Sequence, residues 1–282
     1  LTELRLWLAV VADEAAGVDP ALAPLPNLDC LVRQGDTLLE PFTVPAPARG
    51  AAELGRLRKR AVVAWGAEKL ASVRELRRAE AAAAESALEA AAKRAELAVR
   101  DTLEASRAPT LFADRPQLDG ATRRRLAGRR AELRTIRTAL RRLRRDGELP
   151  WFQYESQFGD VMARGGFDLV IGNPPWVRAE ALPARVREQL AARYRWWRSA
   201  PGRGCGHRPD LSIAFLERAL GLTAPGGAVA MLLPAKLVSA GYASRARAAL
   251  AAESCLHAVA DLTTDADAAF DATAYPLALI AS

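Results

Sequence analysis

Between residues 151 and 282, short apolar runs take turns with stretches of helical period. Phe167 to Ile171 and Ala228 to Leu233 are apolar runs of strand length, and Leu256 to Leu262 and Tyr275 to Ala281 read as two more strands. Residues 183–198 place Val186, Leu190, Tyr194 and Trp197 on one helical face. A second helix runs to Leu222 from Asp210, whose short carboxylate suits an N-cap. Pro225-Gly226-Gly227 turns the chain into the next strand. Strands alternating with helices predict an α/β fold around a parallel sheet, because a helical crossover is the simplest link between parallel strands.

The middle of the chain has another character. Residues 79–98 include eleven Ala, the strongest helix former. Leu126, Leu133 and Leu140 recur every seven residues, with Ile136 and Leu143 at the other seam position and Arg129 interrupting it. Pro109 and Pro116 bracket a turn between the two stretches. The pattern predicts a two-helix arm of coiled-coil type. Upstream, residues 2–16 have a helical stripe of Leu4, Leu8 and Val11, Leu28 to Gln34 reads as a short strand, and Pro-rich residues 41–50 read as a linker. The expected divisions are 1–48, an arm over 49–150, and 151–282.

Composition narrows the function classes. Of 282 residues half are hydrophobic, which excludes a disordered chain. Three scattered cysteines, Cys30, Cys205 and Cys255, exclude a disulfide scaffold and suit a reducing cytoplasm. No apolar run approaches the roughly 20 residues that span a bilayer, and no export signal is evident. The chain opens on Leu1 and is read as a fragment. The formal charge of +7 is unevenly spread. Residues 123–148 hold eleven Arg and three acids, and residues 178–208 hold eight Arg and two Glu. Clustered arginine is the footprint of a phosphate-backbone partner, although Arg on a solvated helix face is the plainer reading of the first island.

The chemistry concentrates in Gly172-Asn173-Pro174-Pro175-Trp176, directly after a strand. Ligands of open α/β sheets sit at the carboxyl ends of strands. Two prolines fix two φ angles and supply no N–H. Asn173 then offers a side-chain carbonyl beside the stiff main-chain carbonyl of Pro174. Two fixed acceptors suit an amino group with two hydrogens. They stabilise the positive charge that develops when a base amine attacks, which is electrostatic preorganisation rather than base catalysis. Trp176 offers a flat face for a ring to stack on. No metal site is expected: Cys205-Gly206-His207 has no partner pair at zinc spacing.

Asn-Pro-Pro-aromatic is the motif of amino-methyltransferases that use S-adenosylmethionine. Trp151 to Trp176, ending Gly165-Gly166-Phe167-Asp168-Leu169-Val170-Ile171-Gly172-Asn173-Pro174-Pro175-Trp176, then Val177-Arg178, resembles large adenine-specific DNA methylases of type IIG restriction-modification and phage-defence systems. Asp210 to Glu217 before Pro225-Gly226-Gly227, the opening Leu1 to Trp7, and Gln34 to Leu38 are similar to the same family. The resemblance covers both ends and matches 49–149 only loosely. It implies a Rossmann-like class I methyltransferase sheet, interrupted by a long helical insertion. It also implies methyl transfer to the N6 amine of an adenine flipped out of double-stranded DNA. By the same resemblance Asn173, Pro174, Pro175 and Trp176 are catalytic, Asp36 and Phe215 hold the cofactor adenine, and Trp176 and Phe270 touch the flipped base. The Arg-aromatic stretch places Arg178, Arg193, Arg195 and Arg198 as contacts to the DNA backbone.

One part of the family pattern is missing. No Asp-Pro-x-x-Gly-x-Gly or Phe-x-Gly-x-Gly occurs, and Gly202, Gly204 and Gly206 follow a helix and read as a loop. The cofactor loop and the first strands are therefore expected before Leu1, and the target-recognition domain beyond Ser282 or on another subunit. Two other readings remain. Asn-Pro-Pro-aromatic also occurs in methylases of RNA and of protein glutamine, and the chain could be a non-catalytic fragment that binds DNA.

Overall fold

A computed structural model describes Arg5 and residues 27–40, 50–107, 119–149, 151–198, 209–262 and 275–282. The chain divides into two compact units, one of Leu1–Gly35 with Glu40–Ala163, the other of Asp36–Leu39 with Arg164–Ser282. The expected helix over 2–16, the prolines at 109 and 116, and the glycine loop at 202–206 lie outside the described residues, as does the linker up to residue 49.

The first unit is helical: α1 (Ala51–Val63), α2 (Gly66–Arg107) and α3 (Gly120–Asp146). Asp119 caps α3 by accepting the Thr122 N–H at 2.6 Å. Gly147 ends it at φ 69°, a left-handed position that suits glycine. α2 and α3 form the expected arm: Ala84, Leu88, Ala91 and Ala92 pack with Ile136, Ala139 and Leu143. Arg129, out of place in an apolar seam, stays exposed and donates to the Ala98 carbonyl at 2.6 Å. Arg137 pairs with Glu96, and Arg144 pairs with Glu85 and Glu89, so charge joins the helices along one edge of the seam.

At the other end of α2 lies a buried ionic cluster. Arg33 reaches Glu80 through contacts of 2.9 and 3.0 Å. Arg58 lies 3.4 Å from Glu80 and 3.0 Å from Asp160, and donates to the carbonyls of Cys30 and Gln157. Burial pushes the Glu80 carboxyl above its usual range, against the pull of Arg33 and Arg58. The strand expected over 28–34 is instead a 3-10 turn, Leu28–Cys30. Asn27 bends it by accepting the Asp29 N–H at 3.1 Å. Leu28 and Cys30 are then buried, with Cys30 joining Leu54, Leu57 and Leu76 in a core that, among the described residues, is built by helices.

The second unit holds β1 (Phe167–Gly172), α4 (Ala184–Arg193), α5 (Leu211–Leu222), β2 (Thr223–Pro234), α6 (Ser244–Glu253), β3 (Leu256–Asp261) and β4 (Pro276–Ala281). The sheet order is β1-β2-β4-β3. β1 and β2 are parallel, while β4 runs antiparallel to both of its neighbours. The sheet is thus mixed, not parallel throughout, because β4 inserts in reverse between β2 and β3. Val229, Met231 and Leu233 of β2, with Leu277, Leu279 and Ala281 of β4, bury one face against Ile213 and Leu216 of α5 and Ala246 and Leu250 of α6. Leu169, Ile171 and Ile280 are exposed. By strand alternation and register they belong to the opposite face.

The helix expected over 183–198 stops at Arg193. Tyr194 turns to extended backbone, at φ −106° and ψ 123°. Tyr194, Trp196 and Trp197 are all buried, which one stripe of a continuing helix cannot achieve. Asp210 caps α5 as expected, accepting the Ser212 N–H at 2.9 Å.

Candidate active site at the strand ends

The Asn-Pro-Pro-Trp loop leaves the carboxyl end of β1. Gly172 pairs with Met231, so the loop starts beside the end of β2. A Cβ on Gly172 would lie 2.7 Å from the Met231 sulfur, so glycine allows this close approach. Asn173 is exposed, Pro174 is buried, Pro175 is exposed and Trp176 is half-buried. The Trp176 indole N–H donates to the Leu232 carbonyl on β2 at 3.4 Å. Further on, the Leu211 N–H at the start of α5 donates to the Val177 carbonyl at 2.8 Å, and the Ala179 N–H donates to the Pro209 carbonyl at 3.2 Å. The loop is held by a strand on one side and a helix start on the other. Its polar member, Asn173, is left open to solvent.

Asp36 lies in the same unit. Its Oδ1 accepts the N–H groups of Leu38 and Leu39, each at 2.9 Å, which ties the carboxylate into a tight turn. Leu38 is buried with Ala179, Leu190, Tyr194, Trp197 and Ala214. The buried Tyr194 hydroxyl donates to the Leu38 carbonyl at 2.8 Å, and Arg193 donates to the same oxygen at 3.0 Å. Phe215 packs against this cluster and also against the sheet core. Leu38, two residues after Asp36, and Ala179, which follows the Asn173 loop, thus share one cluster against which Phe215 packs. Phe270 lies outside the described residues.

The arginines that follow divide. Arg178 is exposed. Arg195 is committed internally, to Glu253 at 2.8 Å and Glu217 at 3.7 Å. Arg198 donates to the carbonyls of Ala191 and Ala192 at the end of α4. Glu217 itself accepts the N–H groups of Arg195 and Trp196. These bonds fold the Arg-aromatic stretch back onto α4 and α5.

The structure adds residues the motif did not point to. Lys236 follows β2, and Tyr275 precedes β4 and accepts the Ala235 N–H at 2.8 Å. Both are exposed at the sheet end where the Asn173 loop emerges. Only the pairing of β2 with a distant β4 brings Tyr275 there. Tyr242 is half-buried, and its hydroxyl is pushed above the usual tyrosine range by burial and by the negative charge of Asp210.

A loop with an exposed asparagine at the carboxyl end of a parallel strand pair, in a mixed α/β sheet, is consistent with a methyltransferase fold. The profile of the Eco57I restriction-modification methylases matches residues 1–269, and the chain belongs to that family. The chain is 38% identical over 96 residues to the type II methyltransferase M.XhoI of Xanthomonas vasicola, which covers 34% of this chain and 16% of that protein. It is 30% identical over 118 residues to the type II methyltransferase M.PaeR7I of Pseudomonas aeruginosa, covering 42% of this chain and 19% of that protein. The matches thus span less than a fifth of these relatives' own length. No helix among the described residues is long and apolar enough to cross a membrane.

Proposed function

We propose that the chain carries the catalytic half of a DNA methyltransferase that modifies the N6 amine of adenine in a restriction-modification or phage-defence system. The observation that carries this reading is the exposed Asn173 in a loop held at both ends. The Asn173 side-chain oxygen and the Pro174 carbonyl accept the two hydrogens of the target amine. They draw its nitrogen toward a tetrahedral shape and stabilise the charge that grows on it. Trp176 stacks on the base, which has to leave the duplex to reach the loop. Phe270 contacts the base from another side. Membership of the restriction-modification methylases and likeness to two type II methyltransferases support DNA as the substrate.

S-adenosylmethionine supplies an electrophilic methyl group to this site. The residues present fit its adenosine part. Asp36 uses Oδ1 to hold its own turn, and Oδ2 makes no hydrogen bond among the described residues. Phe215 borders the same cluster. No glycine-rich cradle for the methionine part occurs in the sequence. The sheet supports a wider arrangement: β1 is an edge strand, yet Leu169 and Ile171 on it are apolar and exposed. Parallel strands of this kind are normally interior, so we read the sheet as the second half of a Rossmann-like one. Arg178 is the member of its arginine group open for a DNA phosphate.

The test is transfer of labelled methyl by the full-length protein to duplex DNA, RNA and protein glutamine acceptors. The expected outcome is label on adenine N6, lost in Asn173→Ala. Label on RNA or glutamine replaces the substrate, and no transfer to any acceptor leaves a DNA-binding role only.

A further inference from the structure

The α3 arm carries a second arginine surface that the methylase site does not use. Arg130, Arg134 and Arg141 are spaced by four and seven residues, so they share one side of the helix. All three are exposed. The buried face of α3, Leu126, Ile136, Ala139 and Leu143, turns toward α2. Acids of α2 pair with Arg137 and Arg144 on the edge that also holds Arg130, seven residues before Arg137, but among the described residues none pairs with Arg130, Arg134 or Arg141. Among the described residues, Arg130 and Arg134 make no ion pair or hydrogen bond, and Arg141 bonds only to the Thr138 hydroxyl. The interior acid of α3, Glu132, stands two residues from both Arg130 and Arg134 and thus on the far side of the helix. Like charges four residues apart destabilise a helix, and no neighbouring acid relieves this pair.

We infer that this stripe is a rail for one phosphate backbone of duplex DNA, engaged outside the catalytic loop. From Arg130 to Arg141 the helix rises about 16 Å, equal to the rise of roughly five nucleotides of one strand along the duplex axis. Guanidinium groups make paired hydrogen bonds to phosphate oxygens, and their positions along a helix fix where the duplex lies without reading its sequence. The inference rests on the reading of the chain as a DNA-modifying enzyme.

The test is fluorescence anisotropy of the full-length protein with labelled duplex DNA from 50 to 200 mM salt. In the triple variant R130Q/R134Q/R141Q, the slope of log affinity against log salt should become shallower by about 3, and affinity should fall by at least ~10-fold. The single variant Arg134→Gln should lose about 1 in slope. The triple Lys variant should keep the wild-type slope. Circular dichroism on each variant checks the helix; glutamine and lysine are both good helix formers. An unchanged slope in the triple Gln variant overturns the rail, and so does tighter wild-type binding to an RNA duplex of the same sequence. Methyl transfer by the wild-type protein is scored separately, so loss of the rail and loss of the methylase reading are told apart.

Discussion

The indole N–H of Trp176 donates to the carbonyl of Leu232, 3.4 Å away on the neighbouring strand. This bond fixes the plane of the ring that follows the two prolines. On the proposed reading the ring receives a base, and it gains from being held before the base arrives, since less freedom is lost on binding. Trp176→Phe keeps a ring and removes the donor. We expect the variant to bind a target base more weakly while folding normally. Titration of a 2-aminopurine duplex, with thermal melting as control, measures both.

Asn173→Ala removes a side-chain acceptor that is exposed and supports no packing. Removing a single preorganised electrostatic partner costs about 10²-fold or more in turnover. The expected result is that loss in kcat with unchanged DNA affinity and melting temperature. Steady-state assays with labelled methyl donor check it.

Gly172→Ala places a methyl group 2.7 Å from the Met231 sulfur. Overpacking of this kind costs about 1–3 kcal/mol. The strain falls one residue before Asn173, so activity should drop together with stability. Pairing the change with Met231→Ala removes the clash, so the destabilisation of the double variant should be smaller than the sum of the two single ones.

Tyr194→Phe removes the hydroxyl that donates to the Leu38 carbonyl at 2.8 Å. Arg193 still donates to that oxygen at 3.0 Å, so the loss should be limited to about 1 kcal/mol. On the proposed cofactor role of Asp36, loosening its turn, which lies just before Leu38, should weaken cofactor binding more than DNA binding. Calorimetry with S-adenosylmethionine and anisotropy with DNA separate the two.

Cys30 is fully buried, and burial pushes its thiol above the usual range. The thiolate, the reactive form, is therefore scarcer in the folded protein at every pH below the raised value. Raising pH through the ordinary thiol range should leave Cys30 unlabelled by a maleimide, while the exposed Cys255 reacts. Arg58→Ala should change this, because it leaves Asp160 and part of the Glu80 charge buried without a partner, at a cost of about 3 kcal/mol or more. Denaturant unfolding gives the stability change, and peptide mapping gives the labelling.

The parts of the fold that follow from local rules were legible in the sequence. Alanine density and the Leu126 to Leu140 heptads marked the arm, and Asp210 marked a helix start. The Asn173 loop was legible because proline restricts the chain without help from distant residues. What could not be read depended on distant partners. The reversed β4 between β2 and β3 is a matter of pairing between segments far apart in sequence. The commitment of Arg195 to Glu253 joins residues 58 positions apart. Residues 28–34 read as a strand, and their turn at Leu28–Cys30 is decided by the helices that bury Cys30.

The uncovered side of the sheet has a practical consequence. Leu169 and Ile171 are 53% and 74% exposed, and Ile280 is 40% exposed. A greasy plane of this kind attracts copies of itself and hydrophobic dyes. Handled in isolation, the 282-residue chain should adhere to hydrophobic resins and self-associate, and Ile171→Lys, a charge on the edge strand, is the simplest change to suppress both.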